Sequence, residues 1–139
     1  MEIAWQQFII SDQKERLDLE TIKGFLARSY WANKRPEERT LRSIDNSICY
    51  GVYDGLQQVG YARIVTDHAT MYYLCDVFID EAYRGMGIGK KLIETITTSL
   101  EFKDLMGILG TKDAHELYTQ YDFEPDTERF MRRRPDYLR

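Results

Sequence analysis

The run Met71–Ile79 (M-Y-Y-L-C-D-V-F-I) constrains this chain more than any other stretch, because it is apolar on both faces and Asp76 is its only charged residue. Such a run reads as a strand in the middle of a sheet, covered by layers above and below. The pattern then changes. Arg84-Gly85-Met86-Gly87-Ile88-Gly89-Lys90 is a glycine-rich turn. Ile88, Leu92, Ile96 and Leu100 follow at every fourth position, putting one apolar face on a helix that starts near Gly87. A buried strand, a glycine loop and an amphipathic helix in direct succession require a sheet with helices packed on it.

The rest of the chain supplies the other elements. Ile3 to Ile10 reads as a strand, and Leu17 and Ile22 flank Asp18 like a staple around an N-cap. Leu19, Ile22, Phe25 and Leu26 form the apolar stripe of that first helix. Ser29-Tyr30-Trp31 reads as a loop, and Pro36, Glu37 and Glu38 suit the first turn of a second helix. Ser47–Tyr53 and Gln57–Thr66 flank Asp54-Gly55, a hairpin signal. Leu105–Thr111 is a short apolar strand. Asp113 with Glu116 is placed to cap a helix through Tyr121, and Thr127–Arg133 is expected to be a last strand. The expected order is β-α-α-β-β-β-α-β-α-β, an α/β (α+β) arrangement with a mixed, mostly antiparallel sheet and helices on both faces. No repeat or linker interrupts it, so residues 1–139 are expected to form a single domain. A chain near this length buries roughly 68–70% of its unfolded surface, so its 43% hydrophobic content needs no disulfide or metal staple.

Charge and composition narrow the function classes. The 19 basic and 23 acidic residues give a net charge of −4, which argues against nucleic acid as a partner. Cys49 and Cys75 form no CxxC pair, and His68 and His115 lack metal-ligand spacing, so no metal is expected. The first residues do not read as a signal peptide, and no run approaches the roughly 18 apolar residues of a membrane span. A cytoplasmic protein with no membrane partner is the expectation, and its cysteines read as small buried residues.

The glycine loop carries the chemistry. A loop between a buried strand and a helix N-terminus offers free backbone N–H groups and the positive end of the helix dipole to an anion. Two familiar phosphate loops do not match. A Walker A loop would need glycine at Arg84 and serine or threonine at Lys91, and a dinucleotide fingerprint starting at Gly85 would need glycine at Lys90. Lys90 and Lys91 oppose the dipole of the helix they open, a conflict that a bound polyanion would remove.

The run Asp76–Gly89 resembles the acetyl-CoA motif of the GNAT N-acetyltransferase superfamily. The run Ala114–Phe123 is similar to that superfamily's A-x-x-L-Y-x-x-x-G-F signature. Together the two cover about residues 71–123. The resemblance implies acetyl-CoA as co-substrate, in a gap between the splayed strands Met71–Ile79 and Leu105–Thr111. It implies that Val77, Phe78 and Ile79 give main-chain hydrogen bonds to the pantetheine arm, and that Arg84, Gly85, Met86, Gly87, Ile88, Gly89 and Lys90 surround the pyrophosphate. Gly107 and Gly110 agree with a close approach of that kind. Tyr118 matches the family's tyrosine near the thioester sulfur, a general acid for the leaving thiolate.

Three positions depart from the family pattern. Tyr73 stands where many members carry a glutamate base, leaving Asp76 as the nearest carboxylate; a structural acceptor or a water relay is equally open. Asp122 replaces a glycine, and aspartate tolerates the left-handed conformation better than most residues. Thr111 replaces a frequent asparagine. Tyr30 and Trp31 lie where the family shapes its acceptor site, and Arg63 could face an acceptor carboxylate or solvent. Arg132-Arg133-Arg134 reads as a solvated tail. The expected activity is transfer of an acetyl group to a primary amine of a small molecule or peptide, by direct attack in a ternary complex, with a homodimer as the oligomeric expectation. The alternative is a module that binds acyl-CoA without chemistry.

Overall fold

Six strands pair in chain order into one sheet: β1 (Glu2–Trp5), β2 (Phe8–Ser11), β3 (Ile48–Asp54), β4 (Gln57–Thr66), β5 (Met71–Ile79) and β6 (Met106–Ile108). The structure is a computed structural model describing residues 1–139. β1 to β5 run antiparallel, and β6 joins β5 in parallel, which requires the helical crossover that α3 (Ile88–Thr97) provides. α1 (Leu19–Ala27) and α2 (Glu37–Asp45) cover one face, where Ile22, Phe25, Leu26 and Ile44 pack on Cys49, Tyr61 and Phe78. On the other face α3 and α4 (His115–Thr119) bring Ile88, Leu92, Ile96 and Tyr118 onto Tyr50, Ala62, Ile64 and Leu74. Leu92, Ile93 and Ile96 are fully buried, each worth roughly 1.5–3 kcal/mol of apolar burial.

The mixed, mostly antiparallel sheet with helices on both faces is therefore the expected fold, with corrections in its parts. Ile3–Ile10 is not one strand. Gln6 turns the chain at φ +54°, making a hairpin of β1 and β2 with Ile3 opposite Ile10. Thr127–Arg133 forms no strand: its charged residues leave no alternating apolar face, and Phe130 and Met131 stand exposed. Asp18 caps α1 as expected, accepting from the Thr21 N–H at 3.2 Å, but Leu19 lies outside the buried stripe. Leu100 falls beyond the end of α3 and is exposed. Asp113 does not cap α4. Its N-cap, Ala114, has no side-chain cap, and Thr111 Oγ1 only orders the approach to the helix by accepting from the Ala114 N–H at 3.0 Å. Asp122 does adopt the left-handed conformation, at φ +68°. No helix is long and apolar enough to cross a membrane.

Two irregularities in β5 create the site. Tyr61 pairs with Phe78 and Arg63 with Cys75, so Ala62 alone faces both Asp76 and Val77. This is a β-bulge, and Asp76 takes φ +54° within it. On its other edge β5 pairs with β6 only at Met71, Tyr72 and Tyr73, and the ladder stops at Tyr73 opposite Ile108. From Leu74 to Ile79 that edge of β5 has no neighbouring strand. β5 is thus a mid-sheet strand only as far as Tyr73; beyond it one edge is unpaired, and a cleft opens where β6 leaves it.

Candidate functional site

The cleft measures about 520 Å³ and is walled by the second half of β5, the glycine loop and the start of α4. Val77, Phe78 and Ile79 line it from the strand, and Arg84, Gly85, Gly87, Ile88 and Gly89 line it from the loop. Tyr30 and Trp31 reach it from the α1–α2 loop, and Tyr118 from α4. Met86 and Lys90 do not line it, and both are exposed. A larger hollow of about 950 Å³ lies beyond β6, against the segment that follows α4. It has neither the glycine loop nor the unpaired edge of β5, although Tyr118 borders both.

The glycine loop has the local features of an anion cradle. Gly85 and Gly87 both sit at φ +85°, and Gly87 is the N-cap of α3. From Gly85 through Lys90 no backbone N–H finds an acceptor in the protein; the first helical bond is that of Lys91 to the Gly87 carbonyl. A Cβ at Gly85 would meet nothing, so that side of the loop is open space. Consecutive free donors at a helix start, with the dipole behind them, favour negative charge. Arg84 is held beside them, its Nε donating to the Ile79 carbonyl at 3.0 Å and its guanidinium over the Phe78 ring. Lys91 is not part of this site, since its ammonium pairs with Glu94 at 3.1 Å.

Gly107 and Gly110 lie outside the cleft. A Cβ on Gly107 would strike the Tyr72 ring at 2.6 Å, so the close approach there is by a core side chain. Around Gly110 nothing comes within 4 Å.

Tyr118 is buried, and its hydroxyl makes no hydrogen bond within the protein. Burial, with smaller contributions from Tyr30 and Asp113, pushes its pKa up to about 12, so it carries its proton throughout the physiological range. Asp113 lines the same cleft and pairs with no cation. Tyr30 bridges the cleft mouth. Its hydroxyl accepts from the Lys112 N–H at 2.9 Å, linking the α1–α2 loop to the segment before α4, and its ring meets Trp31 edge-on at 5.0 Å.

Asp76 does not line the cleft. Its carboxylate is buried and accepts four hydrogen bonds: Trp31 Nε1 at 3.0 Å and Arg35 Nη2 at 3.2 Å on Oδ1, and Arg35 Nη1 at 2.8 Å and Arg63 Nε at 2.9 Å on Oδ2. Burial alone would raise its pKa, but the Arg35 hydrogen bond and the Arg63 charge outweigh that and hold it below the usual carboxylate range. A carboxylate so occupied is a poor proton acceptor, which corrects the catalytic expectation for Asp76 and leaves the structural one. Tyr73, at the position of the expected glutamate, is half-exposed on the α1–α2 face opposite Val65. Sequence spacing gave no sign of Arg35, Lys112 or Asp113 as site residues. Arg35 lies 41 positions from Asp76, a separation that carries no periodic signal.

Comparison with known proteins agrees with this geometry. Residues 45–125 match the model of the acetyltransferase (GNAT) domain. A crystal structure of a protein from Xanthomonas campestris pv. campestris, assigned to the GNAT family, superimposes with a TM-score of 0.89 at 32% identity, covering 97% of this chain and 98% of that one. The soybean (Glycine max) histone acetyltransferase TAP1 is 38% identical over 72 residues, half of this chain and 31% of that protein. An acetyltransferase-like protein of Gibberella zeae is 25% identical over 114 residues, 68% of this chain and 64% of its own. The chain thus matches less than two thirds of the length of these two relatives.

Proposed function

This chain belongs to the GNAT acetyltransferase family, and from that premise we propose that it moves an acetyl group from acetyl-CoA to a primary amine by direct attack in a ternary complex. One observation carries the reading: the unpaired edge of β5 runs from Tyr118 at one end of the cleft to the free N–H groups of the glycine loop at the other. The loop and Arg84 would hold the pyrophosphate, and the main chain of Val77 to Ile79 would hold the pantetheine arm. When bound, acetyl-CoA supplies an activated acyl group with a thiol leaving group. Trp31 and Tyr30 wall the place from which an amine enters.

Two proton movements fall to the chain's own residues. An amine with a lysine-like pKa is unprotonated in only about one part in a thousand at pH 7. Asp113, free of cations at the cleft, is the acceptor for its proton through water. As the C–N bond forms and the C–S bond breaks, the Tyr118 hydroxyl donates to the departing sulfur. A phenol at about 12 looks too weak an acid for a thiol near 8.5 in water. The walls of the cleft also disfavour a free thiolate, so a proton delivered as the C–S bond breaks is worth most there.

Calorimetric titration with acetyl-CoA should give saturable binding, and incubation with a pool of amines and peptides should release CoA thiol. No binding at millimolar ligand would remove the reading. Binding without thiol release would leave only an acyl-CoA-binding module. Gly87→Ala forces alanine into the left-handed region at roughly 1–2 kcal/mol. It should weaken acetyl-CoA binding about tenfold in the same titration and lower the melting temperature by a few degrees. Unchanged affinity would take the pyrophosphate away from this loop.

A further inference from the structure

The cluster around Asp76 does not balance its charges. Two guanidiniums, Arg35 and Arg63, share one carboxylate, and neither lies within salt-bridge distance of any other acid. Their side chains are only 17% and 13% exposed. Burying one surplus positive charge is costly unless an anion completes it. Asp76 cannot take more, since each of its oxygens already accepts two hydrogen bonds. Arg63 Nη1 is committed to Ser47 Oγ at 3.2 Å, but Arg63 Nη2 and Arg35 Nε make no bond in the protein. Tyr53 Oη is the one buried side-chain nitrogen or oxygen that lacks a partner, so these two nitrogens open to solvent.

On the face that carries Arg63, the helices leave part of the sheet bare. Arg63 pairs with Cys75 and Val65 with Tyr73, which puts all four on the α1–α2 face of the sheet. Val65 and Tyr73 are 40% and 43% exposed, so α1 and α2 do not reach them. Tyr73 is also the last residue of β5 paired with β6, so this bare part extends to the vertex where the cleft begins. Trp31 joins the two places, bonded to Asp76 on one side and lining the cleft on the other.

We propose that the acetyl acceptor is an amine carrying an anionic group, a carboxylate or a phosphate, that docks on Arg63 and Arg35 and places its nitrogen in the cleft. The inference rests on the acetyl-transfer reading above and adds the class of acceptor to it. Guanidiniums suit this task because their planar donors match both anions. Asp76 holds the two side chains in place, and Tyr73 and Val65 give the carbon chain of the acceptor an apolar surface.

The test measures CoA thiol release from acetyl-CoA with matched amines: β-alanine and γ-aminobutyrate against propylamine and butylamine, with aminoethylphosphonate as the phosphate-like arm. The anionic amines should have the higher kcat/KM, by about ten- to a hundredfold, the range of one charge-assisted hydrogen bond. Preference between the carboxylate and phosphonate arms identifies the anion. Arg63→Lys keeps a charge beside Asp76 but loses the planar donor. It should remove most of that preference while acetyl-CoA affinity, read by calorimetry, stays as in the wild type. Arg35→Lys serves the same purpose should the first variant melt early. Equal turnover of neutral and anionic amines, no acetylation of any anionic amine, or a preference that survives both variants overturns the inference while leaving acetyl-CoA binding intact. Failure of the wild type to bind acetyl-CoA overturns both readings.

Discussion

Asp76→Ala should lower stability by about 3–5 kcal/mol, the cost of leaving buried charges without their counterion, and so lower the melting temperature by roughly 10–20 °C. The carboxylate ties four parts of the chain together: the bulge in β5, the α1–α2 loop through Trp31 and Arg35, β4 through Arg63, and the start of β3 through Arg63 and Ser47. Alanine also inherits a left-handed φ that aspartate tolerates better. Asp76→Gly relieves that strain but keeps the charge loss, so it should melt above Asp76→Ala. Asp76→Asn keeps the shape and should lie closest to the wild type. A melting temperature for Asp76→Ala within a few degrees of the wild type would show that the arginines find water as good a partner as the carboxylate.

The pH dependence of stability has a definite sign. The pKa of Asp76 is depressed in the folded protein, so the stabilisation is complete above the unfolded value of 3.8 and is lost as pH falls through the lower folded one. The wild-type melting temperature should therefore not change on account of this group between pH 5 and 8, and should fall below about pH 4. Glu81 adds to the same acid limb: the hydrogen bond from Arg28 lowers its pKa to about 2. The difference between wild type and Asp76→Ala isolates the buried carboxylate. That difference should shrink as the pH drops, because protonation of Asp76 removes what the substitution removes.

Local patterns made much of the architecture legible, and the missing parts are those fixed by distant residues. The limits of β4 and β5 follow from the Asp54-Gly55 turn signal before the one and from the apolar run Met71–Ile79 of the other. The start of α3 followed from Gly87 and the four-residue spacing, and Asp18 announced α1. Gln6 gave no warning of its turn, since glutamine is not a residue that marks positive φ, so two short strands read as one. The bulge at Asp76 was hidden for a related reason. A charge in an apolar run signalled that something polar must meet it, but Arg35 and Arg63, 41 and 13 positions away, could be paired with it only in three dimensions. The same holds for Tyr30 and Lys112, 82 positions apart. In the site, the glycine loop, Val77 to Ile79 and Tyr118 were legible through a motif, whereas the surroundings that decide the fate of each proton were not.

Tyr118→Phe should lower kcat by about 10²–10⁴, the usual contribution of a positioned general acid, with acetyl-CoA affinity nearly unchanged. The hydroxyl has no partner in the protein, so its removal breaks no internal hydrogen bond, and the ring keeps its edge contact with Phe123 at 5.9 Å. A structural role would instead appear as a lower melting temperature or weaker cofactor binding. The pH profile separates the two proton steps. Because the pKa of Tyr118 is raised to about 12, the phenol should not ionise below that pH, and the wild-type rate should keep rising from pH 7 to 10 as more of the amine loses its proton. Tyr118→Phe should lower that whole curve without moving it. Asp113→Asn should act on the rising limb, reducing the rate most where the amine is still protonated and least near pH 10. The size of the Tyr118 effect should also depend on the leaving group. A thiol of lower pKa than CoA needs less protonation as it departs, so an activated thioester should recover much of the lost rate in Tyr118→Phe and little in Asp113→Asn. Equal recovery in both variants would mean that Tyr118 acts on the amine side of the reaction.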